Sequence, residues 1–352
     1  MPSPLLTSRA FGSLPSGESV EAYTLANDSG ASVEVLTYGG IVRSLRVPDR
    51  RGRVGDVVLG FDGLEGYLGA HPYFGAIVGR IAGRVTAGLL SVNGRIFSVP
   101  CNEGPNHLHG GRHGLDKRLW NAECVDRPDG AASVRLSYLS PDGEEGYPAS
   151  ATIAATYSLT ASSELVFETE VWSDGVTPIS LTNHSYFNLA GEGAVLGHEI
   201  QIAAVDFVPA DAALTLTDRR EAVSGRGADF TRPRRLGDAL SGLAGAHGDL
   251  YLLRRADEGP PPEPTFAARI SEESTGRVLE VRTDEACLQF YTGVGLDGTL
   301  VGKSGLAYAR HAGLCLECEG YPNASAVGGF GEILVHPGRP QLRRTIYGFS
   351  TA

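Results

Sequence analysis

Short runs in which apolar and polar residues alternate make up most of the chain. They are rich in Val, Ile, Thr, Tyr and Phe and are separated by Gly, Pro, Asp and Asn, a pattern that predicts β-strands joined by turns. No long segment has the apolar spacing of a helix, and only residues 231–243 favour a short one. The runs predicted as strands include 31–37, 41–47, 134–139, 152–159, 164–171, 277–282 and 286–292.

Strands in this number predict an all-β fold with few short helices. A large antiparallel sandwich would bury the inner faces and leave one curved face for a ligand. Two irregular stretches, 211–249 and the proline-rich 255–264, are expected to be surface loops, because proline cannot donate a hydrogen bond to a sheet. Neither stretch is flanked by a change in composition, so we predict a single domain over residues 1–352.

A histidine lies on the polar face of one predicted strand. In residues 177–184, alternation puts Ser180, Thr182 and His184 on the face opposite to the apolar side chains. A histidine in this setting either makes a structural hydrogen bond or takes part in catalysis. The strand alone leaves both interpretations open.

Two glutamates share the polar face of a second predicted strand. Residues 313–320 place Cys315, Glu317 and Glu319 on one side, and the apolar residues around them predict a central strand. A solvated strand face is the alternative. In a central strand, however, an unpaired carboxylate would destabilise the fold. Repulsion between the two carboxylates would raise the pKa of at least one toward the range of a general base.

Two further segments carry polar side chains that could line a site. One contains His107 and His109, which share a face if the chain is extended, and the other contains Arg80 and Arg84. In cupins, which are β-sandwiches, a His-x-His pair binds metal together with a glutamate three or four residues later. No glutamate stands at that distance here, so no metal is expected.

Two other segments match cofactor-binding or metal-binding motifs, but their context does not support either function. Residues 293–298 fit the dinucleotide-binding glycine pattern, but no helix follows to receive a pyrophosphate. Cys315 and Cys318 would point their thiols to opposite faces of a strand, which suits neither a zinc site nor a redox pair.

Composition and charge narrow the choice of partner. The 352 residues are 42% hydrophobic, enough for a sizeable core, and the net charge of −11 argues against a nucleic-acid surface. We find no signal peptide or membrane span. Cysteines are few and scattered, which suits a reducing compartment and predicts a cytoplasmic protein. They are Cys101, Cys124, Cys287, Cys315 and Cys318.

The segments taken together resemble the aldose 1-epimerase, or galactose mutarotase, family. The similarity runs along most of the chain, and several motifs in the same order are more specific than any one of them. The motifs are Asp56-Val-Val-Leu-Gly-Phe61, Pro72-Tyr-Phe-Gly75, Gly79-Arg-Ile-Ala-Gly-Arg84, His107-Leu-His-Gly-Gly111, Ser140-Pro-Asp-Gly-Glu-Glu-Gly-Tyr-Pro148, Thr182-Asn-His-Ser-Tyr-Phe-Asn-Leu-Ala-Gly191, Gln289-Phe-Tyr-Thr-Gly293 and Cys315-Leu-Glu317.

The resemblance implies a fold, a reaction and a set of site residues. The fold is a large antiparallel β-supersandwich, and the reaction interconverts the α and β anomers of a free aldose without a cofactor. Glu317 would act as the base at the anomeric hydroxyl and His184 as the acid at the ring oxygen. The positions that match sugar-binding residues of the family are His109, Arg84, Asp249 and Gln289.

Some positions depart from the family pattern. Gly83 replaces the usual asparagine before the second arginine, and Glu319 and Val294 stand where glutamine and asparagine are common. Residues 246–251 replace an Asp-His-Asn run, with Asp249 as the counterpart of the sugar-binding aspartate. These changes remove polar contacts along one edge of the sugar and put the usual hexose preference in question.

The leading prediction is an aldose 1-epimerase acting on a free hexose such as galactose or glucose. One alternative keeps the acid–base pair but changes the substrate to a modified sugar, a hexose phosphate or another hemiacetal-like ring. A second alternative is a non-catalytic sugar-binding module. In each case a small sugar is the expected partner, with no nucleic acid or membrane, for a monomer or homodimer.

Overall fold

The computed structural model describes residues 5–227, 229–243, 248–253, 260–327 and 332–352. Regular structure there is almost entirely antiparallel β, which confirms the all-β prediction. The first strands are β1 Leu5–Ser13, β2 Ser19–Ala26, β3 Ser32–Leu36, β4 Val42–Pro48, β5 Val54–Asp56, β6 Ile77–Val78, β7 Arg84–Val85, β8 Leu89–Val92, β9 Arg95–Ser98, β10 His107–Leu108, β11 Asn121–Cys124, β12 Ala132–Ser140, β13 Ala151–Leu159 and β14 Glu164–Ser173. The remaining strands are β15 Thr177–Pro178, β16 Thr182–Asn183, β17 Glu199–Ile202, β18 Asp206–Val208, β19 Glu221–Ala222, β20 Arg234–Arg235, β21 Leu250–Leu252, β22 Thr265–Ser271, β23 Arg277–Thr283, β24 Cys287–Tyr291, β25 Cys315–Glu319, β26 Leu334–Val335 and β27 Gln341–Thr351.

Helices are short and lie between the strands. The α-helices are α1, Leu64–Leu68, and α2, Leu236–Ala239. The second falls inside the segment predicted to be helical and is shorter than predicted. Within the described residues, no helix has the length and apolar character needed to cross a bilayer. Single 3₁₀ turns lie at Thr86–Gly88, Leu115–Lys117, Glu144–Gly146, Val195–Gly197, Leu240–Gly242 and Lys303–Gly305.

Three antiparallel sheets dominate the described part of the chain. A nine-stranded sheet has the order β11-β12-β13-β14-β27-β23-β22-β17-β20, and a five-stranded sheet at the N-terminus has the order β1-β2-β3-β4-β5. A second five-stranded sheet, β19-β18-β21-β24-β25, carries the residues of interest for function. The stretch 211–249 is therefore not a plain loop, because it contributes β19, β20 and α2. Residues 228, 244–247 and 254–259 lie outside the described residues, including part of the predicted loops.

One continuous hydrophobic cluster joins the three sheets. Apolar side chains that alternate along the strands point into it, as the sequence pattern predicts. The cluster holds the five-stranded sheets in place against the large sheet, so the site rests on packed strands. Its members include Val33 and Leu45 from the first sheet, Leu136 and Phe167 from the large sheet, and Leu288 and Leu316 from the third.

In the strand that carries Glu317, the side chains lie on the predicted faces, but the strand is not in the centre of its sheet as predicted. Leu316 and Cys318 pack in the large cluster, while Glu317 and Glu319 face the other way into a cavity. Among the described residues, however, β25 is the last strand of its sheet, because β24 is the only strand with which it pairs there. It is buried all the same, since the segment around Phe187 covers it and pairs with Leu314 through hydrogen bonds of 2.7 and 3.0 Å.

The predicted strand 177–184 is broken in the middle. Thr177–Pro178 pairs with β26, whereas Thr182–Asn183 pairs with β6, so the chain changes partners between them. Ile179 and Leu181 lie in the hydrophobic cluster, as their alternation indicates.

His184 follows β16 and is anchored through its own backbone. Its N–H donates to the carbonyl of Ala76 at 2.9 Å, and its carbonyl accepts from the N–H of Gly75 at 2.9 Å. The side chain of Asn183 ties the same place to the large sheet, because it donates to Gly75 at 2.7 Å and to the hydroxyl of Tyr157 at 3.0 Å. The histidine therefore sits at a fixed point.

We predict that Gly110→Ala destabilises the fold by more than about 3 kcal/mol. Gly110 has a φ of +87°, and an added Cβ would collide with the backbone carbonyl of Gly79. Gly130→Ala is the matched control, because Gly130 has a φ of +75° but open space around it. Its expected cost is about 1 kcal/mol. Urea unfolding gives both free energies, and equal values would contradict the steric argument.

Candidate active site

A cavity of about 1000 Å³, including its open mouth, is lined by residues of β18, β21, β24 and β25 in the third sheet. Its size suits a small molecule. It brings together all six residues that the resemblance assigned to the site. The polar and aromatic lining residues are Tyr73, Arg84, Glu103, His109, His184, Tyr186, Asp249, Gln289, Tyr291, Glu317 and Glu319.

Glu317 and His184 face each other in this cavity. Oε2 of Glu317 lies 3.4 Å from Nε2 of His184, and their side chains are 3% and 5% exposed. The other ring nitrogen of His184, Nδ1, lies 3.7 Å from the thiol of Cys315. A carboxyl group and an imidazole at this separation can exchange a proton directly.

Aromatic rings surround His184 and set its protonation state. The rings of Tyr73 and Tyr186 stack on it with centroid distances of 5.7 and 5.2 Å. Burial among them lowers the pKa of His184 to about 4, because a charged imidazole loses its hydration there. The imidazole of the free enzyme is therefore neutral at neutral pH.

Burial acts in the opposite direction on the carboxyl group. It raises the pKa of Glu317 to about 8, with the positive charge of Arg84 as the opposing influence. In the free enzyme at neutral pH, these pKa values correspond to a protonated Glu317 next to a neutral His184. This pair contains one proton that can move, the same number as a carboxylate next to an imidazolium.

Arg84 and His109 line the same cavity and are held from behind. Arg84 makes two hydrogen bonds to the carboxylate of Glu103, at 2.5 and 2.8 Å, which fix the plane of its guanidinium. Nδ1 of His109 accepts the backbone N–H of Gly83 at 3.1 Å, so its proton sits on Nε2 when the ring is neutral. Burial, followed by the charges of His184 and Arg84, holds the pKa of His109 well below its usual range. His109 can therefore donate one hydrogen bond to a ligand.

Asp249 and Gln289 come from the neighbouring strands. Gln289 lies on β24 directly opposite Glu317, and its amide donates to the carbonyl of Phe290 at 3.0 Å. Asp249 is 3% exposed, and neither of its carboxylate oxygens has a hydrogen-bond partner within the described residues. Burial raises the pKa of Asp249 to about 6. Residues 246 and 247 of the altered segment lie outside the described residues.

Two side chains that the sequence suggested for the site, His107 and Arg80, do not line the cavity and make structural hydrogen bonds. His107 does not share a face with His109, because His109 has a φ of +52° and the chain turns there. The ring of His107 is 2.8 Å from the carbonyl of Pro100 and 2.6 Å from the hydroxyl of Tyr147. Arg80 is buried, and four backbone carbonyls accept its hydrogen bonds.

Four lining residues of the site were not predicted: Tyr73, Glu103, Tyr186 and Tyr291. The three tyrosines lie within motifs that carry the resemblance, but the sequence did not indicate that Tyr73 and Tyr186 stack on His184. Glu103 lies in a segment without strand or helix pattern, and nothing in the sequence pairs it with Arg84.

The described residues contain one set of three side chains spaced for a metal ion. Donor atoms of His109, His184 and Glu317 all lie within 4.8 Å of one another. The same spacing also suits a proton acceptor, a proton donor and a hydrogen-bond donor that contact neighbouring atoms of one substrate. The set does not include His107, so the His-x-His arrangement considered from the sequence is not formed. The expectation of a site without metal stays a prediction.

A β-sandwich cavity that holds a buried carboxyl–imidazole pair among hydrogen-bonding side chains is the kind of site expected of a carbohydrate isomerase. Comparisons with known proteins agree with this class. The family model of aldose 1-epimerase matches residues 21–347.

Relatives and solved structures extend the match to the whole chain. It is 42% identical to galactose mutarotase from Rattus norvegicus, over 99% of each chain, and 30% identical to aldose 1-epimerase from Escherichia coli (strain K12), over 88% of this chain and 89% of the other. The crystal structure of galactose 1-epimerase from Lactobacillus acidophilus matches with a TM-score of 0.84 and 28% identity, covering 99% of this chain and 100% of that one.

The chain therefore belongs to the aldose 1-epimerase family, and its fold is the galactose mutarotase-like β-sandwich. Its activity is that of an aldose 1-epimerase, an isomerase of carbohydrate metabolism. The resemblance drawn from the ordered motifs is confirmed.

We predict that Glu317→Gln makes the stability of the protein less dependent on pH. The raised pKa of Glu317 in the folded state contributes stability that is present at low pH and is lost as pH rises toward about 8. Between about pH 5 and pH 8, Glu317 is ionised in the unfolded chain but still protonated in the folded protein. The free energy of unfolding of the wild type therefore falls by about 1.4 kcal/mol per pH unit through this group. Urea unfolding between pH 5 and pH 8 should show a shallower slope for the variant. Parallel slopes would contradict a protonated Glu317.

Proposed function

We propose that the protein interconverts the α and β anomers of a free aldohexose such as galactose or glucose, with Glu317 as the base and His184 as the acid. The observation that supports this assignment most directly is the 3.4 Å approach of Oε2 of Glu317 to Nε2 of His184 inside the cavity. His109, Arg84, Asp249 and Gln289, which line the same cavity, bind the hydroxyl groups and the ring oxygen.

Ring opening requires one proton to leave the sugar and one to enter it. Glu317, as the carboxylate, removes the proton of the anomeric hydroxyl while His184, as the imidazolium, protonates the ring oxygen. The bond between C1 and the ring oxygen breaks, and C1 becomes an aldehyde. In the free enzyme the proton lies on Glu317. Its transfer to His184 gives the carboxylate and the imidazolium that ring opening requires, and no proton is taken from water.

Ring closure runs the same transfers in reverse on the other face of the aldehyde. Rotation about the C1–C2 bond turns the carbonyl, and the former ring hydroxyl attacks C1. His184 takes the proton from this hydroxyl and Glu317 returns one to the carbonyl oxygen. Both groups end in the state in which they began, so the pair is ready for another cycle in either direction.

The charge of the cavity favours a neutral sugar over a hexose phosphate. Its described lining contains one cation, Arg84, which is already paired with Glu103. Three further carboxyl groups line the same space, those of Asp249, Glu317 and Glu319. A phosphate would add negative charge with no free positive group to receive it. A non-catalytic binding module is disfavoured because it would not need the acid–base pair.

The proposal also includes the location, the partners and the oligomeric state of the protein. The protein acts in the cytoplasm on a small sugar, without a nucleic-acid or membrane partner, as a monomer or homodimer. The net charge of −11 and the five free cysteines support this setting.

We predict that Glu317→Gln lowers kcat by about 10²–10⁴-fold, because the amide cannot accept the anomeric proton. Sugar affinity should change only a few-fold, since the amide keeps the shape and polarity of the side chain. Cys318→Ala is the matched control, because Cys318 lies on the same strand but packs in the core.

Anomer-exchange NMR measures the turnover, and calorimetry measures the binding. Near-normal exchange by Glu317→Gln would remove Glu317 from the role of base.

We predict a bell-shaped dependence of kcat/KM on pH, which reports the free enzyme. The pair of Glu317 and His184 is active when it carries one proton. Activity should fall as pH drops through about 4, because His184 is then protonated while Glu317 keeps its proton. It should also fall as pH rises through about 8, because Glu317 then loses its proton. The rate in buffer alone, which also depends on pH, must be subtracted. An upper limb near 6.5, the ordinary value for histidine, would contradict this account.

A further inference from the structure

Glu319 lies on the same face of β25 as Glu317 and has no role in the mechanism above. It is fully buried, and neither of its carboxyl oxygens has a hydrogen-bond partner within the described residues. It lines the same cavity as Asp249 and Glu317. An unpartnered carboxyl group inside a protein destabilises the fold, so its position calls for a ligand that pairs with it.

Gly83 makes room for this carboxyl group. A Cβ at position 83 would lie 2.7 Å from Oε1 of Glu319 and 2.6 Å from Pro322, so no larger side chain fits there without movement. The backbone of Gly83 also donates to His109, which links this corner to the catalytic groups. Glu319 thus fills the space beside Gly83, at the edge of the site.

The surroundings of Glu319 favour its neutral form. Burial, followed by the nearby carboxyl groups of Glu317 and Glu285, raises the pKa of Glu319 well above its usual range, and Arg84 acts in the opposite direction. A neutral carboxyl group offers one donor and one acceptor. A sugar hydroxyl offers the same two functions, so the two groups can exchange a pair of hydrogen bonds.

The spacing along β25 indicates which hydroxyl is in reach. Residues two apart on a strand are separated by roughly 6.6 Å. With Glu317 at the anomeric hydroxyl on C1, Glu319 lies about the width of a pyranose ring away. The hydroxyl on C2 is too near to C1, whereas those on C3 and C4 lie on the far side of the ring.

We propose that Glu319 is a specificity-determining residue that exchanges hydrogen bonds with the C3 or C4 hydroxyl of the bound aldose, in the space beside Gly83. The inference rests on the proposed function, because it takes Glu317 to be at C1. It assigns to this one side chain the choice among sugars that differ on the far side of the ring.

The test compares Glu319→Met and Glu319→Gln with the wild type on glucose and its 2-, 3- and 4-deoxy derivatives. Methionine fills the same space without polar atoms and should fold, since it removes an unpartnered polar group. Glutamine keeps a donor and an acceptor. Glu285→Gln is the control for a changed carboxyl group nearby, because Glu285 is a buried neighbour that pairs with Arg343 and does not line the cavity.

We expect the wild type to lose about 10–100-fold in kcat/KM with the 3- or the 4-deoxy sugar. In Glu319→Met that loss should shrink to about two-fold, because the partner of the hydroxyl is gone. Glu319→Gln and Glu285→Gln should keep the wild-type order of sugars. The pH dependence of Glu319→Gln should not move, since a neutral group replaces a neutral group.

A Glu319→Met variant that treats the 3- and 4-deoxy sugars as the wild type does would overturn the inference. So would a change confined to the 2-deoxy sugar. Anomer exchange by the wild type with at least one sugar keeps the proposed function in place in both cases. No exchange by the folded wild type with any sugar would overturn the proposed function and the inference together.

Discussion

Placing Glu317 and His184 together away from water is the constraint on which the rest of the structure depends. Burial disfavours the charged form of each group, so it raises the pKa of the carboxyl and lowers that of the imidazole. The two shifts leave one proton on the pair. A reaction that runs in both directions needs this balance, because each group must give and take a proton in turn.

Two separate parts of the fold hold Glu317 and His184 at their distance from each other. Glu317 is fixed by a strand whose opposite face packs in the main hydrophobic cluster. His184 comes from a different part of the chain and is fixed by its backbone bonds to Gly75 and Ala76 and by the rings stacked on it. Neither group depends on a surface loop. Small shifts in either support would change the 3.4 Å approach, and with it the ease of proton transfer.

Much of the fold and of the site could be predicted from the sequence, for physical reasons. Alternation specifies which strand residues face the core, so the two faces of residues 315–319 came out correctly. It does not specify partners, so the end position of that strand and the break inside 177–184 were not foreseen. A single positive φ at His109 separates it from His107. The contact of Arg84 with Glu103 joins segments that no local pattern connects.

The protonation state of Glu317 in the free enzyme is the most direct test of this account. Infrared difference spectra of the wild type minus Glu317→Gln, recorded across a pH series, isolate the carbonyl stretch of this one carboxyl group. A protonated carboxyl band is expected at pH 6, and it should convert to a carboxylate band near pH 8 because the pKa of Glu317 is raised. A carboxylate band for Glu317 already present at pH 6 would contradict it.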